Sequence, residues 1–216
     1  KAFSIDNILS LINQASSKDR NDGSERKSGK FGTGFITTHL LSEVVNICGI
    51  LEINDEYSKF HISLDRTGKE KNEIIDAMEN AVSDLKKCTP IDFFDFDENE
   101  YNTVFEYELD ECGMQTARDG LESLRVSAPF VLAMLPNIEE ITVENTGEKF
   151  RYMREGKCGL ENATVSEIEV EQQGHPCNKY VLGMTDDNVS IYIALEHMDG
   201  NMKIIPFSEN QSKLFC

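Results

Sequence analysis

The stretch "SGKFGTGFITTHLLS" places Gly29, Gly32 and Gly34 directly before an apolar run with helical character. The N-terminus of a helix presents backbone N–H groups that have no partner within the helix, together with the positive end of the helix dipole. Glycines at this point let the backbone approach an oxyanion, because no Cβ stands in the way. The pattern G-x-x-G-x-G therefore predicts an anion site, with phosphate as the expected ligand. A glycine-rich turn without a ligand is the alternative.

The spacing of these glycines differs from two familiar phosphate-binding motifs. Walker A requires a Lys-Ser or Lys-Thr pair after the last glycine, and here Phe35 follows Gly34. The dinucleotide fingerprint has the reverse order of glycines and follows a strand, whereas the residues before Gly29 are polar. The glycines alone consequently leave the type of phosphate ligand open.

A polar stretch, residues 16–30, leads into the glycines and contains no large apolar side chain. We expect it to be a mobile surface loop, since it has little to bury. From residue 18 to residue 30, five basic residues stand against three acidic ones in an otherwise acidic chain. The basic residues are Lys18, Arg20, Arg26, Lys27 and Lys30. This local positive charge suits a phosphate, although a solvated loop is equally compatible with it.

The composition of the 216 residues excludes several classes of function. A net charge of −18 argues against direct binding of nucleic acid, which requires clustered Lys and Arg. No apolar run is long enough to span a bilayer, so no membrane partner is expected. The opening residues do not form a secretory signal, and the first residue is not Met, which indicates a fragment of a longer protein.

The six cysteines are far apart and form no C-x-x-C pair, which indicates reduced thiols and a cytoplasmic location. His175 and Cys177 in "GHPC" could supply half of a zinc site. Because no second close pair accompanies them, we interpret both as loop residues and predict no metal site in this chain.

Hydrophobic periodicity predicts the elements that position the glycines. Helices are predicted at 4–15, with Ser4 as N-cap, at 35–45, at 71–87 and at 115–135, the last with a break near Pro129. The expected inward residues of the third helix are Ile74, Ile75, Met78, Ala81, Val82 and Leu85. Strands are predicted at 46–53, 59–66, 102–110 and 138–145, and only strands after residue 150, with a hairpin turn at Asp199-Gly200. A change in composition at 147–150 suggests two domains, 1–149 and 150–216.

The order of these features resembles the GHKL ATPases, which comprise gyrase B, the ninety-kilodalton heat-shock chaperone, histidine kinases and MutL. "GKFGTGF" is similar to the "GQFGVGF"-like text of the chaperone branch, and sacsin-like and bacterial ATP-binding proteins look closest. The resemblance covers roughly residues 3 to 145. It implies the α/β Bergerat fold, a two-layer sandwich whose mixed sheet is covered by helices on one face, here followed by a β-rich segment.

The resemblance also implies ATP and Mg²⁺ as cofactors, and slow hydrolysis coupled to closure of a lid formed by residues 16–30. A protein partner or a second copy could dock through the lid and the following domain. The positions matching the family's triphosphate site are Lys18, Gly29, Lys30, Gly32, Thr33, Gly34 and the amide of Phe35. Thr103 matches the threonine that helps to hold adenine. Lys18 could instead be solvent-exposed, and Thr103 an ordinary strand residue.

Two motifs of the family are missing from this chain. These are the helix with a water-activating Glu and a magnesium-binding Asn, and the Asp-x-Gly box for adenine. We expect both before Lys1, so no catalytic residue is assigned, and Asp6 and Asn7 are not taken as substitutes. Helix 71–87 is additional to the chaperone pattern, and His39 is interpreted as structural. Two alternatives to an ATPase remain. The chain could be a non-catalytic interaction module gated by nucleotide, or a degenerate structural domain.

Overall fold

The computed structural model of the chain describes residues 2–13, 35–92, 95–97, 99–135, 137–186 and 189–207. The chain divides into two compact units, residues 1–118 and 119–216. Both units combine helix with antiparallel sheet. The structure thereby confirms a fold of mixed helix and strand content.

In the described part of the first unit, two α-helices, a 3₁₀ helix and four strands precede a long helix. Their bounds are α1 Ile5–Asn13, the 3₁₀ helix Phe35–Leu40, β1 Val44–Ile53, β2 Glu56–Asp65, α2 Lys71–Leu85, β3 Thr89–Ile91 and β4 Val104–Tyr107. The strands form one sheet in the order β3-β2-β1-β4. The long helix α3, Glu111–Met134, crosses the division between the units.

The pairing within this sheet is antiparallel throughout its named strands, whereas the resemblance implies a mixed sheet. A two-residue turn joins β1 to β2, and such short connections produce antiparallel neighbours. Parallel pairing occurs at one isolated bridge, between Phe3 and Leu51. Phe3 donates to the carbonyl of Ile50 at 2.8 Å and accepts from the amide of Glu52 at 2.9 Å.

Helix α1 begins as predicted, with Ser4 as its N-cap. The Ser4 hydroxyl accepts a hydrogen bond from the amide of Asn7 at 3.3 Å, and the Asn7 side chain accepts one from the amide of Ser4 at 3.2 Å. This reciprocal pair satisfies amides that the helix itself leaves without partners. Ile8 and Ile12 of α1 are then buried on the sheet.

The core of the first unit lies between the sheet and the two helices α1 and α2. Its buried members are Ile8, Ile12, Val45, Ile47, Leu51, Phe60, Ile62, Leu64, Ala81 and Leu85. The predicted inward face of α2 is right for its C-terminal half and wrong for its start. Ile74 and Ile75 are 38% and 40% exposed. Only the later residues of the predicted face, from Met78 onwards, pack in the core.

The predicted helix 35–45 is too long. The 3₁₀ helix ends at Leu40, and β1 already begins at Val44. Val44 pairs with Asp65, and Val45 pairs with both Leu64 and Tyr107. Two partner strands and the β-branched character of valine outweigh the helical periodicity of the sequence here.

The described part of the second unit is a six-stranded antiparallel sheet that packs against α3. Its strands are β5 Glu140–Val143, β6 Glu148–Lys157, β7 Ala163–Gln172, β8 His175–Asp186, β9 Val189–Met198 and β10 Asn201–Ile204. They run in the order β10-β9-β8-β7-β6-β5. The predicted hairpin at Asp199-Gly200 is confirmed, with φ angles of 53° and 80° that suit a two-residue turn. The predicted division at 149 falls within β6.

Two expectations for this unit are wrong. Helix α3 continues through Pro129 to Met134, because Ala128, Phe130 and Leu132 are buried and their burial outweighs the lost backbone hydrogen bond. His175 and Cys177 are not loop residues, since both lie on β8, where they pair with β7.

Candidate functional site

Most of the predicted phosphate-binding residues lie outside the part of the chain that the structure describes. These are Lys18, Gly29, Lys30, Gly32, Thr33 and Gly34, together with the whole polar stretch 16–30. Phe35 is the first residue of the six-residue 3₁₀ helix, which takes the place of the longer helix predicted after the glycines. Thr103 is the last residue before β4 and is half-buried.

The 3₁₀ helix is held to the sheet by Thr38 and Tyr107. The side chain of Thr38 forms a hydrogen bond with the Tyr107 hydroxyl at the end of β4. Burial raises the pKa of Tyr107, and the hydrogen bond to Thr38 lowers it by less. Tyr107 therefore stays protonated at neutral pH. Its hydrogen bond with Thr38 links the 3₁₀ helix to β4.

His39 lies in the same short helix, and both of its ring nitrogens are buried. Burial lowers the pKa of His39, and the nearby charge of Arg66 lowers it further. Hydrogen bonds with the backbone of Ser42 and Glu43 oppose this change. A neutral, buried imidazole bonded to backbone supports the structural interpretation of His39 rather than a role as phosphate acceptor.

Arg66 is a residue that the sequence analysis did not single out. It follows β2, and its Nη2 donates a hydrogen bond to the carbonyl oxygen of Ile12 at 2.9 Å. Burial lowers the pKa of Arg66, although the neighbouring Asp65 carboxylate offsets part of the effect. Arg66 thus contacts the last turn of α1, and its charge lowers the pKa of His39. In the sequence, α1 precedes the glycine stretch and His39 follows it.

Thr103 directly precedes β4, which pairs with β1. Phe105 and Tyr107 oppose Ile47 and Val45, which are core residues, and Thr103 continues this alternating series one step before β4. Tyr107 packs against the core that α1 and α2 cover, whereas Phe105 is 39% exposed.

Phe3 and β4 share the same edge of β1. Val104 of β4 pairs with Cys48, and Phe3 forms its parallel bridge with Leu51, a short distance along the same strand. Gly49 lies between these positions, and a Cβ there would come within 2.8 Å of the Phe60 ring and 3.3 Å of the Phe3 ring. The two rings meet edge to face, with centroids 5.7 Å apart. The start of the chain is thereby fixed close to Thr103.

The described residues offer no complete metal site. Among them, no group of three or more His, Cys, Asp or Glu side chains is placed to hold a metal ion. His175 and Cys177 accordingly have no third ligand within those ranges, and no described residue is assigned to Mg²⁺.

No known family model, curated protein or solved structure matches the chain. No described helix is both long enough and apolar enough to cross a membrane. The likeness to GHKL proteins therefore depends on the glycine motif and on the order of the elements around it.

Proposed function

We propose that this chain carries the phosphate-binding half of a GHKL-type ATP-binding domain. The observation that carries the proposal is "GKFGTGF", whose last residue, Phe35, opens a 3₁₀ helix of six residues. Glycines against a helix start provide backbone amides for the triphosphate. Lys18 and Lys30 add positive charge from the polar stretch before the motif.

The arrangement of the first unit supports this proposal. Helix α1, the glycine motif, a second helix, a β-hairpin and β4 follow one another in the order that the resemblance implies. Helices α1 and α2 cover one face of the antiparallel sheet, so the unit has two layers. We take this arrangement as a variant of the Bergerat sandwich, with α2 as an addition.

The proposed adenine site lies at the edge of β1 that Phe3 and β4 share. Thr103 approaches this edge from one side, and the backbone of Ala2 and Phe3 from the other. In the family, the adenine-binding carboxylate belongs to a box that would end directly before Phe3. Its proposed position is therefore close to Thr103, where the two could hold one base through a shared water.

ATP with Mg²⁺ is the proposed ligand, and hydrolysis is the proposed reaction of the intact protein. The family's motifs for water activation and magnesium binding are not found in these 216 residues, which are proposed to position the phosphates and to supply the lid, residues 16–30. Lid closure would offer a surface to a protein partner or a second copy. Binding of ATP without hydrolysis is the alternative, and turnover by the intact protein distinguishes the two.

The test compares two glycine substitutions in the intact protein. Gly34→Val places a side chain in the path of the phosphate, and we expect ATP affinity to fall by roughly tenfold or more in calorimetry. Gly120→Val, at an exposed position of α3 outside both the lid and the motif, is the control and should bind as the unmodified protein does, because nothing lies within 4 Å of an added Cβ there. Equal ATP affinity of the two variants would remove the basis of the proposal.

A further inference from the structure

A concavity of about 760 Å³ lies over the first sheet, and its lining extends to Asp84 at the C-terminal end of α2. Two rows of side chains form its floor, since residues paired across strands share a face. One row is Val104, Cys48 and His61, on β4, β1 and β2. The next row is Ile50, Lys59 and Thr89, on β1, β2 and β3.

Four of the described residues between β3 and β4 form one wall of this cavity: Asp95, Glu100, Tyr101 and Asn102. The ring of Phe96 stacks on Tyr57 of β2, with centroids 4.6 Å apart and planes inclined by 26°. Asn102 donates from Nδ2 to the carbonyls of Asp97 and Glu100, at 2.6 and 3.0 Å. These contacts hold the wall in place over the floor.

Charges of opposite sign face one another across the cavity without meeting. Lys59 projects from the floor, while Asp95 and Glu100 line the wall. In the ranges that the structure describes, no ion pair joins Lys59 to either carboxylate, although Lys87 and Asp84 at the rim pair at 2.6 Å. A ligand that carries one charge of each sign would be electrostatically complementary to both sides of the cavity.

We propose that this cavity binds a short zwitterionic peptide. Its carboxylate would meet Lys59, with His61 beside it, and its ammonium group would meet Asp95 and Glu100. The volume falls within the range of small-molecule sites and exceeds what a single amino acid fills. Ile50 and Val104 provide apolar floor for the peptide's side chains. None of the described residues proposed for the nucleotide site lines this cavity, so this inference does not depend on that site.

The first experiment uses trialanine and its two blocked forms, N-acetyl-trialanine and trialanine amide. Binding to the chain is followed by NMR through the amide resonances of residues 48, 59, 61 and 100–104. We expect trialanine to shift these resonances, and each blocked form to bind roughly two- to fivefold more weakly, as for one exposed ion pair. Equal binding of all three peptides, or no shift at these residues, would overturn the proposal.

The second experiment exchanges the two charges. Lys59→Glu and Glu100→Lys should each weaken trialanine binding by roughly threefold or more, since one attraction becomes a repulsion. The double variant, with Lys59→Glu and Glu100→Lys together, again has one charge of each sign in the cavity. It should recover most of the affinity for trialanine, which would bind with its two ends exchanged. Lys203→Glu, the same charge change on exposed β10, should have no effect. Single variants that keep a folded NMR spectrum and full affinity would contradict the assignment.

Discussion

The guanidinium group of Arg66 donates a hydrogen bond from Nη2 to the carbonyl oxygen of Ile12, at 2.9 Å. Ile12 is fully buried in the last turn of α1, where backbone carbonyls have no partner within the helix. Arg66 follows β2, 54 residues further along the chain. The bond therefore ties the end of α1, directly before the polar stretch, to the sheet.

Replacing Arg66 by Met should lower the free energy of unfolding by about 1–3 kcal/mol, because a buried carbonyl would lose a charged donor. Urea unfolding followed by circular dichroism measures the change. Arg118→Met, at an exposed position of α3, is the control and should change the free energy by less than about 0.5 kcal/mol. A similar, small effect of both substitutions would show that the Arg66 bond does not stabilise α1.

The start of α3 depends on the absence of a side chain at Gly113. A Cβ there would lie 2.2 Å from the carbonyl oxygen of Leu41, and the Gly113 amide donates to Asp110 Oδ1 at 2.7 Å. Gly113→Ala should therefore cost about 1–3 kcal/mol of stability, since the backbone around Leu41 must move.

Gly120 provides a matched control for Gly113 within the same helix. No atom lies within 4 Å of a Cβ built at Gly120, so Gly120→Ala should stabilise the protein by about 0.5–1 kcal/mol. Thermal unfolding of both variants measures the two effects. Equal effects of the same sign would show that helix propensity, and not contact with Leu41, determines the result.

Local patterns in the sequence predicted much of the fold. Helix α2, the β1–β2 hairpin and the strands after residue 150 are close to their predicted positions, because alternation and turn residues act over a few neighbours. The errors at Val44 and at Pro129 have another origin. In both places, contacts with distant residues outweigh the local preference.

The candidate site could be predicted only in part. The glycine motif is visible because its residues are contiguous, whereas Arg66, Tyr107 and Gly113 act through contacts with Ile12, Thr38 and Leu41. No local spacing encodes such pairs. The cavity over the first sheet was likewise beyond prediction, because its floor comes from the register of four strands.

The β1–β2 turn should accept a glycine at its second position. Asn54 and Asp55 have φ angles of 52° and 64°, in the left-handed region that Asn-Gly prefers. Asp55→Gly should raise the free energy of unfolding by about 0.5 kcal/mol, although glycine also gains freedom in the unfolded chain. Gly200→Ala, at φ 80° in the β9–β10 turn, should lower it. Destabilisation by Asp55→Gly, measured in urea, would contradict this account of the turn.

If the proposed function is right, residues 1–216 should bind ATP weakly, with little preference for adenine over guanine, and should not hydrolyse it. The residues present are proposed to contact mainly phosphate, and a site without a hydrogen-bond partner for the base discriminates poorly. Calorimetry with ATP and GTP measures the preference. Steady ATP turnover by the purified chain, abolished by Gly32→Val, would show that the chemistry lies in residues proposed here only for binding.

Glu148 joins α3 to the second sheet through a small network. Its Oε1 accepts from Arg125 Nε at 2.7 Å, and its Oε2 accepts from the Thr146 hydroxyl at 2.8 Å. The hydrogen bond from Thr146, followed by the bond and charge of Arg125, lowers the pKa of Glu148 below its ordinary value of 4.5. The ionised form is thus the one that the folded protein stabilises.

The contribution of Glu148 to stability should therefore depend on pH with a defined sign. Because the folded protein holds this carboxyl at a lowered pKa, its contribution is complete above about pH 4.5 and is lost as the pH falls further through that lowered value. The difference in unfolding free energy between the unmodified protein and Glu148→Gln should shrink accordingly between pH 6 and about pH 3 in urea titrations. Glu144→Gln, an exposed position in the preceding turn, should change stability by less than about 0.5 kcal/mol throughout. A Glu148→Gln difference that stays constant or grows on acidification would exclude an ionised Glu148 as the link between α3 and β6.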